Sequence, residues 1–161
     1  MTTILTALYL DVLRPTDRVA VKPHSGPVFH AIQYLLGNQS PERLEWFRGF
    51  QGAQSYPSRT KDPEDVDFST GSMGLGIAQT LFASLVQDYV RGKCWTKNSE
   101  AGRMIALAGD SELDEGNVFE ALYEGWNTVC EMSDGSSTIT ARAWMLLSPT
   151  VCSGRSKVCF R

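Results

Sequence analysis

The chain has 161 residues, 42% hydrophobic and 20% charged, a composition suited to one globular domain and not to a disordered segment. A net charge of −3 excludes the basic footprint of a nucleic-acid binder, and no apolar run approaches the ~20 residues needed to span a bilayer. The opening M-T-T-I-L-T-A-L-Y-L-D lacks a basic start and soon meets Asp11, which argues against a signal peptide and for a cytoplasmic location.

Leu5, Leu8, Tyr9 and Val12 recur at helical spacing, so Thr2–Arg14 is expected to be a helix that Pro15 ends. Val19–Val21 reads as a short buried strand ending at Lys22-Pro23. His24 then falls at the strand's carboxyl end, ahead of a helix that Ser25 could cap with Pro27 in its first turn. Phe29, Ile32, Leu35 and Leu36 give that helix its apolar face and Gly37 stops it. His30, inside the helix, reads as structural. A second short helix starts at Ser40-Pro41 and carries Leu44 and Phe47. Arg48–Asp67 is a long irregular segment holding Arg48, Tyr56, Arg59 and Lys61. It either closes over an anionic ligand or is a solvated surface loop.

Ser69–Gly76, S-T-G-S-M-G-L-G, opens a helix that carries Ile77, Leu81, Leu85, Val86, Tyr89 and Val90. Its glycines either let backbone approach a ligand or form a plain helix-entry turn. The organising stretch is Met104–Asn117, M-I-A-L-A-G-D-S-E-L-D-E-G-N. An apolar run breaks at Gly109, and a helical pattern restarts from Asn117 with Val118, Ala121, Leu122 and Trp126. In open parallel α/β sheets, ligands sit at the carboxyl ends of strands. Asp110 would stand there, as an ordinary turn residue or as the ligand of a hard cation that neutralises a diphosphate.

Three stretches in this order resemble the motifs of the thiamine-diphosphate-dependent transketolase superfamily. They are K-P-H-S-G-P at Lys22–Pro27, S-T-G-S-M-G-L-G, and G-D-S-E-L-D-E-G-N. The F-R-G-F and S-Y-P-S-R-T-K-D segments look most like the homodimeric pyruvate dehydrogenase component of that superfamily. The resemblance covers Met1 to Trp126. It implies an α/β fold with a parallel sheet and helices on both faces, thiamine diphosphate and Mg²⁺ as cofactors, and oxidative decarboxylation of a 2-oxo acid. It also implies a parent homodimer, possible membership of a 2-oxo acid dehydrogenase complex, and no nucleic-acid or membrane partner. By resemblance Asp110 is the Mg²⁺ ligand, and Gly109 and Ser111 meet the diphosphate. Gly71, Ser72 and Met73 line the aminopyrimidine. His24 is a polar or proton-transfer group near the thiazolium, and Glu115 joins the cofactor-activating network across the dimer interface. Transketolase-type ketol transfer, and a non-catalytic remnant that only associates with partner subunits, are the competing readings.

Beyond Trp126 the pattern departs. Asn127–Arg161 shows no strand or helix period and holds three of the four cysteines, at no zinc-site spacing. The resemblance expects a second metal ligand, an Asn near Thr140, where the chain reads S-S-T-I-T-A-R-A. Back-translation from Trp126, read from the third base of each codon, permits E-H-G-L-R-N-V-R-W-V-I-D-Y-N-R-Q-S-L-D. That frame restores a strand and an Asn whose codon straddles Ile139 and Thr140, provided Ile139 is encoded by ATA. The single codons of Trp144 and Met145 overlap to give the Asp the family requires. The expectation is a partial diphosphate-binding domain over 1–126, a poorly ordered out-of-frame tail over 127–161, and a central strand lacking one neighbour. Further sequence before Met1 and the pyrimidine-binding half are also expected to be missing. Such a chain alone would neither bind thiamine diphosphate at micromolar affinity nor turn over pyruvate; the coding DNA checks the frame.

Overall fold

The computed structural model describes residues 1–62, 65–96, 101–132 and 143–147. Within them, alternation along two short strands decides the architecture. Strand β1 (Arg18–Ala20) pairs in parallel with β2 (Met104–Ala108), matching Val19 with Ile105 and Ala20 with Ala106. Successive side chains on a strand point to opposite faces. Val19, Val21, Ile105 and Leu107 therefore gather on one face, where they meet Leu5, Leu8, Phe29, Ile32 and Val66. Ala106 and Ala108 turn to the other face and meet Ile77 and Val118. All of β2 is buried, as expected for a central parallel strand covered on both sides.

The first face is covered by α1 (Thr2–Ala7) and α2 (Gly26–Leu35). Helix α1 widens into a looser π turn over Leu8–Val12, so the expected helix ends before Arg14. Ser25 stands at the start of α2 but makes no side-chain cap, because the chain enters through a tight 3-10 turn, Pro23–Ser25. The short α3 (Pro41–Glu45) is capped by Ser40, whose hydroxyl accepts from the Arg43 N–H at 3.3 Å. The second face is covered by α4 (Leu75–Gly92) and α5 (Gly116–Met132). Small residues bring α4 close to the sheet: a methyl group on Gly76 would already touch Ala20 Cβ at 3.4 Å.

A third strand, β3 (Ala143–Leu147), pairs in parallel along the whole of β2, giving the order β1-β2-β3. This corrects the expectation that β2 lacks a neighbour on that side. Pairing satisfies the backbone N–H and C=O groups that an open central strand would leave orphaned. Helix α5 also crosses the expected boundary at 126. The rest of the 127–161 segment, including the position near Thr140, lies outside the described residues.

Several apolar positions at helical spacing are on the surface. Leu35, Val86, Tyr89 and Trp126 are all more than half exposed, with relative exposures of 76%, 60%, 51% and 59%. Phe82, Val86 and Tyr89 on α4, and Phe119, Tyr123 and Trp126 on α5, form outward apolar stripes at helical spacing. Among the described residues no helix is long and apolar enough to cross a membrane.

Candidate functional site

The parallel register sets the carboxyl ends of β1 and β2 side by side, and the three sequence motifs meet there. A small pocket is lined by Lys22, Pro23 and His24 from the first motif, Met73 from the second, and Ser111 and Glu112 from the third. His24 is exposed on its 3-10 turn, Met73 is half-buried, and Ser72 is exposed beside it. Asp110 follows the β2 end directly and is exposed at the start of a second 3-10 turn, Ser111–Asp114. Its carbonyl accepts from the Leu113 N–H at 3.1 Å. Among the described residues no three His, Cys, Asp or Glu side chains cluster to hold a metal by themselves. A lone exposed carboxylate suits Mg²⁺, which takes few protein ligands and completes its shell with water and phosphate oxygens. Asp110 is a donor of the type that ion takes.

Glu112 ties the motifs together, and nothing in its local sequence announced it. Its side chain is buried at 3% exposure. One carboxylate oxygen accepts from the Gly109 N–H at 2.7 Å and the other from the Gly74 N–H at 3.3 Å. The loop carrying Met73 is thus fastened to the loop carrying Asp110 through one side chain.

Gly74 uses its freedom for packing within the chain. It sits at φ +76°, the left-handed region that favours glycine. A Cβ there would stand 2.5 Å from Asn117 Oδ1, 2.8 Å from Val118 Cγ2 and 3.2 Å from Glu115 Cβ. The start of α4 therefore packs directly on the start of α5, and Glu115, half-buried, belongs to that seam. Asn117 donates from Nδ2 to the Met73 carbonyl at 3.5 Å. Gly71, at φ +153°, faces the Tyr56 ring. Gly74→Ala is expected to cost about 2–3 kcal/mol, combining a strained backbone with a collision inside a packed seam. Urea titration checks it; a loss below about 0.5 kcal/mol would refute the packing role.

The Arg48–Asp67 segment is organised by its own contacts. Asp62 is buried, accepts from the Gln54 and Ser58 N–H groups at 3.1 and 2.8 Å, and pairs with Arg43 at 3.7 Å. The Arg59 guanidinium donates to the Asp67 carbonyl at 2.9 Å, and Arg48 lies over the Phe47 ring. His30 is fully buried, with Nε2 2.9 Å from the Gln54 carbonyl, as its structural reading requires.

A parallel sheet with helices on both faces and a site at its strand ends defines an α/β fold of transketolase type. The chain superposes on transketolase from Leishmania mexicana with a TM-score of 0.70 at 20% identity, covering 88% of this chain and 22% of that one. No family model matches the sequence. Curated relatives do: it is 30% identical over 102 residues to the pyruvate dehydrogenase E1 component of Haemophilus influenzae, covering 62% of this chain and 11% of that protein. Identity to the E1 components of Cupriavidus necator and Escherichia coli K12 is 31% over 102 residues, with the same coverage. The chain thus spans about a tenth of the length of the curated relatives it matches. In sequence the chain is similar to pyruvate dehydrogenase E1 components, and in fold to a transketolase.

Proposed function

We propose that this chain forms the diphosphate- and metal-holding part of the cofactor site of a pyruvate-dehydrogenase-like enzyme, one that oxidatively decarboxylates a small 2-oxo acid in the cytoplasm. The observation that carries this reading is the convergence of Lys22–His24, Met73 and Ser111–Glu112 on one pocket at the ends of two parallel strands. Asp110 supplies the carboxylate for Mg²⁺. Ser111 and Gly109 contribute backbone at the diphosphate, Gly71, Ser72 and Met73 flank the aminopyrimidine, and His24 stands as the polar group toward the reacting end. Glu115 joins the two halves of the activating network in a dimer. Thiamine diphosphate, when bound, supplies the electron sink for loss of carbon dioxide. The pocket is one wall of such a site, so the chain alone holds the cofactor weakly and does not turn over pyruvate.

Sequence likeness to pyruvate dehydrogenase E1 components favours this reading over ketol transfer. The exposed stripes of Phe82, Val86 and Tyr89, and of Phe119, Tyr123 and Trp126, support association with a second subunit or a larger assembly. NMR titration with thiamine diphosphate tests the site. Amides of residues 109–111 are expected to shift only when Mg²⁺ is present, with a Kd of about 1 mM, and Asp110→Asn should remove the Mg²⁺ dependence. Shifts confined to another face, or unaffected by the substitution, would refute the assignment.

A further inference from the structure

We propose that Lys22 is a further binding residue of this site, its ammonium taking up diphosphate charge that a single divalent cation leaves unneutralised. The inference rests on the reading of Asp110 just given. It comes from where the lysine is seated and from what it lacks.

Lys22 leaves the end of β1 and lines the pocket together with His24, Met73, Ser111 and Glu112. The tip of its side chain lies on Gly109, so closely that a Cβ on that residue would overlap the ammonium. Gly109 therefore has a use of its own: it is the floor on which the lysine rests, directly before Asp110. The lysine is half-buried, yet among the described residues its ammonium has neither a carboxylate at ion-pair distance nor a hydrogen-bond acceptor. Three arginines of this fold do have a carboxylate partner: Arg18 with Asp67, Arg43 with Asp62, Arg103 with Asp17. Glu112, the carboxylate in the same pocket, already directs one oxygen to the Gly109 N–H and the other to the Gly74 N–H.

An ammonium at the edge of a pocket, with no carboxylate at ion-pair distance, is a ready seat for an anion. Asp110 adds negative charge beside it, so a cation must enter with that anion. A diphosphate carries more negative charge than one Mg²⁺ cancels, and a lysine is a compact charge with three donors suited to phosphate oxygens. Asp110 and Lys22 would then divide the work, one holding the metal and the other the surplus charge.

The test uses inorganic pyrophosphate as the probe, titrated with Mg²⁺ into the full chain and followed by the Gly109 and Ser111 amides. Lys22→Met should weaken Mg²⁺–pyrophosphate about tenfold or more and flatten the dependence on ionic strength. Lys22→Arg should stay within about threefold, since it keeps the charge. Melting of the Lys22→Met chain should not fall by more than about 2 °C, because among the described residues the ammonium makes no ion pair or hydrogen bond within the protein. Equal pyrophosphate binding by wild type and Lys22→Met would overturn the role of Lys22 while leaving that of Asp110 intact. A wild-type chain that ignores Mg²⁺–pyrophosphate altogether would overturn both.

Discussion

Asp17→Ala is expected to remove about 3–5 kcal/mol of stability, the usual loss when one partner of a buried ion pair is deleted. Asp17 is buried just before β1, and its side chain is 1% exposed. It accepts from the Arg103 N–H at 2.8 Å, from Arg103 Nε at 3.0 Å and from the Arg14 N–H at 3.0 Å. Arg103 stands just before β2, and its carbonyl accepts from the Arg18 N–H at 2.9 Å. One carboxylate therefore sets the register in which β1 enters beside β2. Burial alone would push the Asp17 carboxyl up, but the hydrogen bonds from Arg103 and from the backbone of Arg103 and Arg14 outweigh it and hold it below its ordinary value. A depressed folded-state pKa gives stability that is complete above the unfolded value of about 3.9 and lost as pH falls through the folded one. Urea midpoints of the two chains should thus differ most near neutrality and converge in acid below about pH 4. A gap that persisted undiminished in acid would contradict the ion-pair account.

The lever arms of these contacts explain what could be read from sequence. Strand β2 was legible because five adjacent apolar residues, Met104–Ala108, need no partner to declare themselves. The three motifs that line the pocket were legible separately, each with its own glycine, histidine or aspartate. Their meeting point was less so. Asp17 and Arg103 are 86 positions apart, and Gly74 and Glu112 are 38 apart. No periodicity links such pairs, and a Glu in an acidic run reads as solvated. The sequence left Gly74 open between ligand approach and a helix-entry turn; it stands at the entry of α4, and its missing Cβ is required by Asn117 and Val118. Helical apolar spacing identified α4 and α5, yet it cannot tell a stripe facing the sheet from one facing outward, and Val86, Tyr89 and Trp126 prove to be exposed. Strand β3 was missed because its five residues follow a stretch with no recognisable pattern.

Glu112→Ala is expected to cost about 2–4 kcal/mol, because it leaves two buried backbone donors without an acceptor. Glu112→Gln should cost less, since its carbonyl oxygen still receives one of them while its amide opposes the other. Which donor is abandoned matters for the site. The bond to the Gly109 N–H spans one turn and reforms easily, whereas the bond to Gly74 is the one that joins separate loops. Amide exchange should therefore accelerate more at Gly74 than at Gly109 in the Gln variant, and at both in the Ala variant, with Ile105 and Ala106 slowed or quickened only in step with global stability. Loosening Gly74 also releases Met73 from its place opposite Ser111, so Mg²⁺–thiamine diphosphate should bind more weakly even at temperatures where the variant is fully folded. Retention of wild-type affinity by a folded Glu112→Gln chain, together with unchanged Gly74 exchange, would show that the two loops hold their relation through Asn117, whose Nδ2 bond to the Met73 carbonyl spans the same seam.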